Sequence, residues 1–168
     1  LILPDGNMLV SMRNQGQIRT IRNGVLDPAP VAGLPELRRI FHIVMHPRFS
    51  ENHWIYFGYS KPGDGRTPIA LARARYEGGA LHDVKDLYLT DPVLIGGPTF
   101  GASRIAFAPD GTIYMTISGA AGRIKDGPDP RKLDTTYGKV VRVRVYGSVP
   151  PDNPFMKRAG ARAEIYTL

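Results

Sequence analysis

The sequence predicts an all-β chain of about three propeller blades, each a small antiparallel sheet. Three observations predict it. A proline-opened turn between two apolar strands recurs three times. Other segments alternate apolar and polar residues with the period of a strand. Glycine (19) and proline (15) make up about a fifth of the 168 residues, against roughly 12% on average. Punctuation this dense suits many short strands and not a helix bundle.

The repeated unit comes first in the chain. Leu1-Ile2-Leu3, the turn Pro4-Asp5-Gly6 and Asn7-Met8-Leu9-Val10-Ser11 form its first copy. Ile43-Val44-Met45-His46, a longer polar turn opened by Pro47, and Trp54-Ile55-Tyr56-Phe57 form the second. Ile105-Ala106-Phe107-Ala108, Pro109-Asp110-Gly111 and Thr112 to Ile117 form the third. Proline presets φ for the turn, aspartate bonds its own backbone, and glycine accepts positive φ. Pro4, Pro47 and Pro109 are 43 and 62 residues apart, a spacing suited to successive blades.

Outer strands complete each unit. Gln17 to Arg22 has regular polar positions. In Ile69 to Tyr76, Ala70, Ala72 and Ala74 alternate with Ile69, Leu71, Arg73 and Arg75. Small alanines on one face permit close packing between twisted sheets. In Lys139 to Val145, Val141, Val143 and Val145 alternate with Arg142 and Arg144. Helical signals are weak, and the best stretch, Leu81 to Leu89, is short and follows Gly78-Gly79. The expected blades span residues 1–35, 36–95 and 96–163, with 164–168 starting the next strand. Three blades do not close a ring. Either further chain or a second copy in a homo-oligomer is expected to complete it. Leu1 opens a strand abruptly, so the natural start is expected to lie upstream, and no secretory leader is read here.

Charge and composition exclude several classes. The net charge is +7, but the basic residues are scattered. The densest groups are Arg38-Arg39, Arg73 with Arg75, and Arg142 with Arg144, read as solvated faces rather than a nucleic-acid surface. No apolar run approaches the ~20 residues of a membrane helix. Cysteine is absent, which excludes disulfides, thiolate metal sites and a cysteine nucleophile.

Other constellations have plainer readings. His42 and His46 would share one side of a strand and are read as structural, not as a metal pair. His53 and His82 are read as surface residues. Gly119-Ala120-Ala121-Gly122-Arg123 lacks the phosphate-loop pattern. Asp126, Asp129 and Asp134 miss the spacing of a calcium loop. Ser118 lacks a nucleophile-elbow context. Trp54, Tyr56, Phe57 and Tyr59 are read as core. No metal ligand is assigned.

A set of motifs, in order along the chain, resembles the soluble quinoprotein sugar dehydrogenases, the glucose/sorbosone dehydrogenase group. His46-Pro47-Arg48-Phe49 with Asn52 and Ile55-Tyr56 is similar to "HPDF…N…IY". Arg104 to Gly111 is similar to "GRLAFGPDG", and Tyr137 to Arg142 to "GKVLR". Gly147 to Phe155 resembles "DGSVPADNPF", and Arg158 to Tyr166 resembles "GRAGARPEIWSYG". Each piece is weak alone; the order makes the set specific.

The resemblance implies a six-bladed propeller binding pyrroloquinoline quinone and calcium, which oxidises an aldose at C1 to a lactone. It implies a histidine base, an orienting carboxylate, and a periplasmic or secreted location. Three polar positions differ here. The base position falls on Thr99 or Phe100, and neither accepts a proton at neutral pH. The carboxylate position falls on Gly119, and a quinone-contacting glutamine on Leu37 or Arg38. The calcium ligands would follow Leu168. The pocket expected from the resemblance therefore comprises Arg38, Thr99, Arg104, Gly119 and Arg123.

Overall fold

The two Pro-Asp-Gly turns are built from the same hydrogen bonds. Gly6 N donates to Leu3 O at 3.0 Å, and Asp5 Oδ1 accepts from Asn7 N at 3.0 Å. Gly111 N donates to Ala108 O at 3.0 Å, and Asp110 Oδ1 accepts from Thr112 N at 2.9 Å. At Pro47 other residues do this work: His46 Nδ1 accepts from Arg48 N, and Asn52 Oδ1 accepts from Trp54 N. Between them lies one short helix, α1 (Phe49–Asn52). Local chemistry alone therefore closes all three turns.

The computed structural model describes residues 1–63, 66–94, 103–118 and 129–168. Strands β1 (Met8–Met12), β2 (Gln17–Arg22) and β3 (Val25–Pro30) form the first sheet. Leu1–Leu3 runs beside β1, with Leu9 N donating to Leu1 O at 2.8 Å. The second sheet joins β4 (Arg39–Met45), β5 (Trp54–Ser60), β7 (Ile69–Glu77) and β8 (Ala80–Leu89), in that order. A two-stranded pair, β6 (Arg66–Thr67) with β9 (Val93–Leu94), lies outside it. The third sheet runs β10 (Ile105–Phe107), β11 (Ile113–Thr116), β12 (Val140–Val143) and β13 (Ile165–Thr167). All pairings between these strands are antiparallel, and the three sheets are blades of a partial β-propeller.

The second sheet is buried on both faces, which explains its near-continuous apolar composition. On one face Phe57, Tyr59, Ala70 and Ala72 pack with Leu9 and Ile18 of the first sheet. On the other, Tyr56, Ile69 and Leu71 pack with Ile113, Met115 and Val141 of the third. The alanines have a specific use. Across the β5–β7 ladder, Ile55, Phe57 and Tyr59 stand opposite Ala74, Ala72 and Ala70. Each large side chain thus sits beside a small one, which lets the sheets approach closely.

Some readings of the sequence change. Leu81–Leu89, the stretch with the best of the weak helical signals, lies in a ten-residue strand paired with β7. Neighbouring sheet overrides a weak local preference. Arg142 is not on a solvated face, because its side chain is only 8% exposed. Its Nε donates to Thr112 Oγ1, Nη1 to Asp152 Oδ2 at 3.0 Å, and Nη2 to Asp110 Oδ2 at 2.8 Å. A buried guanidinium is tolerated because carboxylates arrive from two other segments. Ile165–Thr167 pairs with β12 as the fourth strand of the third sheet, so that sheet continues past residue 163. No described helix is long and apolar enough to cross a membrane.

Candidate functional site

Antiparallel pairing brings Arg38, Ser60, Thr67, Arg104, Thr116 and Lys139 to one end of the second and third sheets. Arg38 immediately precedes β4. Its N–H donates to Ser60 O at 3.1 Å, and its Nη1 donates to Gly63 O at 3.0 Å. Arg104 immediately precedes β10 and its side chain is exposed. Its backbone is locked to Thr116: Arg104 N donates to Thr116 Oγ1 and Thr116 N to Arg104 O, both at 2.9 Å. Two cations thus stand at the starts of the innermost strands of adjacent blades.

Of the residues expected to form the pocket, the structure places Arg38 and Arg104 at this end. Thr99, Phe100, Gly119 and Arg123 lie outside the described residues, as does Asp126. Asp129 is engaged by Arg131 at 2.9 Å, which holds its carboxyl down to about 2. Asp134 is exposed.

Three buried hydroxyls near this end, Ser60, Thr67 and Ser103, make no hydrogen bond among the described residues. Buried polar atoms normally find partners, so such a group is where an added ligand or water is expected. Ser103 packs on Gly58, where a β-carbon would come within 2.1 Å of its Oγ. Lys139, which the sequence reading missed as a side chain of interest, is fully buried. It donates to Tyr137 O at 3.0 Å and to Pro130 O, fastening the chain that leads into β12. Burial lowers its pKa.

His42 joins the two blades. Its Nδ1 accepts the Ile105 N–H at 3.0 Å, across 63 residues of sequence. That bond requires the proton to sit on Nε2. Burial first, then the Arg104 charge, lowers its pKa. His46 lies at the opposite end, its ring edge-on to Phe107 at 5.4 Å. Protonating Nδ1 would turn the His42 acceptor into a second donor facing Ile105 N–H. Because the folded pKa lies below the usual 6.5, the unfolded chain takes up the proton first. Stability therefore falls as pH drops from about 6.5 toward the folded value. In His42→Gln, an uncharged acceptor replaces the ring. Thermal melts at about pH 7.5 and about pH 5 should show a smaller acid-induced drop in Tm than the unaltered chain. An unchanged drop would remove His42 from this role.

This end offers guanidinium donors, one neutral imidazole locked by its backbone bond, and unsatisfied hydroxyls. Such chemistry suits an oxygen-rich, negatively charged ligand. Among the described residues, no group of three or more His, Asp or Glu could hold a metal ion.

The sequence model of the glucose / sorbosone dehydrogenase family matches residues 1–168. The aldose sugar dehydrogenase of Escherichia coli is 33% identical over 174 residues, covering 98% of this chain and 45% of that protein. Quinoprotein glucose dehydrogenase B of Acinetobacter calcoaceticus is 28% identical over 197 residues, covering 98% and 40%. The chain spans less than half the length of these two relatives. The crystal structure of the soluble E. coli aldose sugar dehydrogenase in its apo-form superimposes with a TM-score of 0.85 at 31% identity. It covers 98% of this chain and 48% of that one. The PQQ-bound form of aldose sugar dehydrogenase from Streptomyces coelicolor shares the fold, with a TM-score of 0.71 at 22% identity, covering 97% and 47%.

Proposed function

Because the chain belongs to the glucose / sorbosone dehydrogenase family, we propose that it is part of a sugar-oxidising propeller that uses pyrroloquinoline quinone on an aldose. In this chain the base and carboxylate positions of that reaction have been replaced. The observation that supports the reading is the continuous match over residues 1–168, with Arg38 and Arg104 at one end of adjacent inner strands. Their guanidinium groups would hold the carboxylates of the quinone, aided by the Ser103 hydroxyl, which has no partner among the described residues. When bound, the quinone supplies the hydride acceptor. The described residues offer no ligand set for calcium, and no step is assigned to that ion.

A proton must leave the sugar hydroxyl as hydride departs. Thr99 or Phe100, at the base position, accepts none. His42 does not take over. Its Nδ1 lone pair is occupied by Ile105 N–H, so the neutral ring has only an N–H to offer. A missing base typically costs ~10²–10⁴-fold, so this chain has at most weak turnover by itself.

The test reconstitutes the chain with quinone and calcium and follows dye reduction with glucose. The quinone absorption should shift on binding. Thr99→His combined with Gly119→Asp should raise the rate by roughly 10²-fold or more over the unaltered chain. No absorption shift and no gain would leave a non-catalytic propeller module that binds sugar or protein.

A further inference from the structure

A large cavity lies at the other end of the sheets, away from Arg38 and Arg104. It encloses about 940 Å³ and is bounded by the turns at Pro47 and Pro109 and by the segment after β12. That volume is within the usual range for a small-molecule site. Its walls combine three kinds of group.

The first is an aromatic platform. Tyr146 is 75% exposed, yet it is held in place. Arg73 lies 5.1 Å from its ring and 4.0 Å from the ring of Trp54, between the two. The second is a pair of acceptors. Asp110 and Asp152 are both drawn to Arg142, but their side chains remain 51% and 69% exposed. Bonds from Thr112 and Arg142 hold the Asp110 carboxyl down to about 2, and Arg142 likewise lowers that of Asp152. Arg142 engages only Oδ2 of Asp152, and Asp152 lines the cavity. The third is a donor: Arg144 is exposed and makes no ion pair among the described residues.

Arg48, Arg142 and Arg144 line the cavity with Asp110 and Asp152. Arg48 is paired to Glu51 at 3.5 Å and Arg142 to both aspartates, which leaves Arg144 as the lining cation with no ion pair among the described residues. An anion would meet two ionised carboxylates, and a purely apolar ligand would desolvate them without repayment. A neutral, hydroxyl-rich ring meets neither penalty. Its hydroxyls give to a carboxylate and receive from a guanidinium, and its C–H face lies on an aromatic ring.

We infer that this cavity is a saccharide-binding site, made by Tyr146, Arg144 and Asp152 and separate from the Arg38–Arg104 end. It requires no quinone and does not rest on the proposed dehydrogenase activity.

Calorimetric titration of the chain with maltotriose and with cellotriose tests it, with inorganic phosphate as the anionic control. The lone tryptophan serves as a local reporter, since Trp54 reaches the cavity through Arg73 and Tyr146. At least one trisaccharide should bind saturably, with Kd on the order of 1 mM, and change Trp54 emission. Both Tyr146→Ala and Arg144→Gln should weaken it roughly tenfold or more. These side chains are exposed, and circular dichroism checks that each variant folds. Absence of saturable binding overturns the inference. So does phosphate binding in place of saccharide. Unchanged affinity in both variants overturns it as well, and would assign the sugar to the opposite end.

Discussion

Gly33→Ala should destabilise the chain by roughly 2–5 kcal/mol, the sum of a left-handed backbone penalty of about 1–2 kcal/mol and an overpacking cost of about 1–3 kcal/mol. Gly33 has φ +86, and a β-carbon there would lie 2.0 Å from Leu81 O and 2.9 Å from Leu81 C. That carbonyl belongs to β8 and cannot rotate away as a side chain would. The contact sits where the first sheet meets the second: Leu81 N donates to Ala32 O at 2.8 Å, and Ala32 bridges Ala80. A methyl group must therefore push the sheets apart or break that bond. Gly24 supplies the control. Its φ is +78, but nothing lies within 4 Å of its would-be β-carbon, so Gly24→Ala pays only the backbone penalty. Urea denaturation of both variants separates the terms. Equal midpoints would mean that the Ala32–Leu81 junction does not hold the blades together.

Phe57→Ala should cost about 3–5 kcal/mol, a large share of the roughly 5–15 kcal/mol that stabilises a domain. Phe57 is fully buried between the first and second sheets. The cost should fall at the upper end, because the residue opposite it is Ala72 and those beside that are Ala70 and Ala74. None of these can swing into the void, so the cavity stays open. Phe57→Leu combined with Ala72→Val should recover much of the loss by restoring volume. Urea midpoints measure both. A loss below about 1.5 kcal/mol for Phe57→Ala would show that the sheets collapse onto the gap.

The same residues show how much could be read in advance. The pairing of Phe57 with Ala72 is an outcome of two strands that each announced their alternation. Gln17–Arg22 was legible to the residue, because a period of two needs only the chain's own neighbours. The Pro-Asp-Gly turns were equally legible, since proline, aspartate and glycine act within a few bonds. Leu81–Leu89 was harder. Its alternation is imperfect, and it becomes a strand because β7 offers it a ladder. The candidate site was legible chiefly through resemblance. Motif order pointed to Arg38 and Arg104, whereas nothing local marked Ser103 as buried and unpartnered or Lys139 as enclosed.

Sequence by itself determined the strand periodicity, the proline turns and the family to which the chain belongs. Tertiary structure alone decided who meets whom across the blades. Arg142 finds Asp110 at a separation of 32 residues, and His42 finds Ile105 at 63. The cavity at Tyr146 exists only because the turns of neighbouring blades face each other. The division has a physical cause: backbone preference is short-ranged, while burial and ion pairing depend on which sheets stack and in what register.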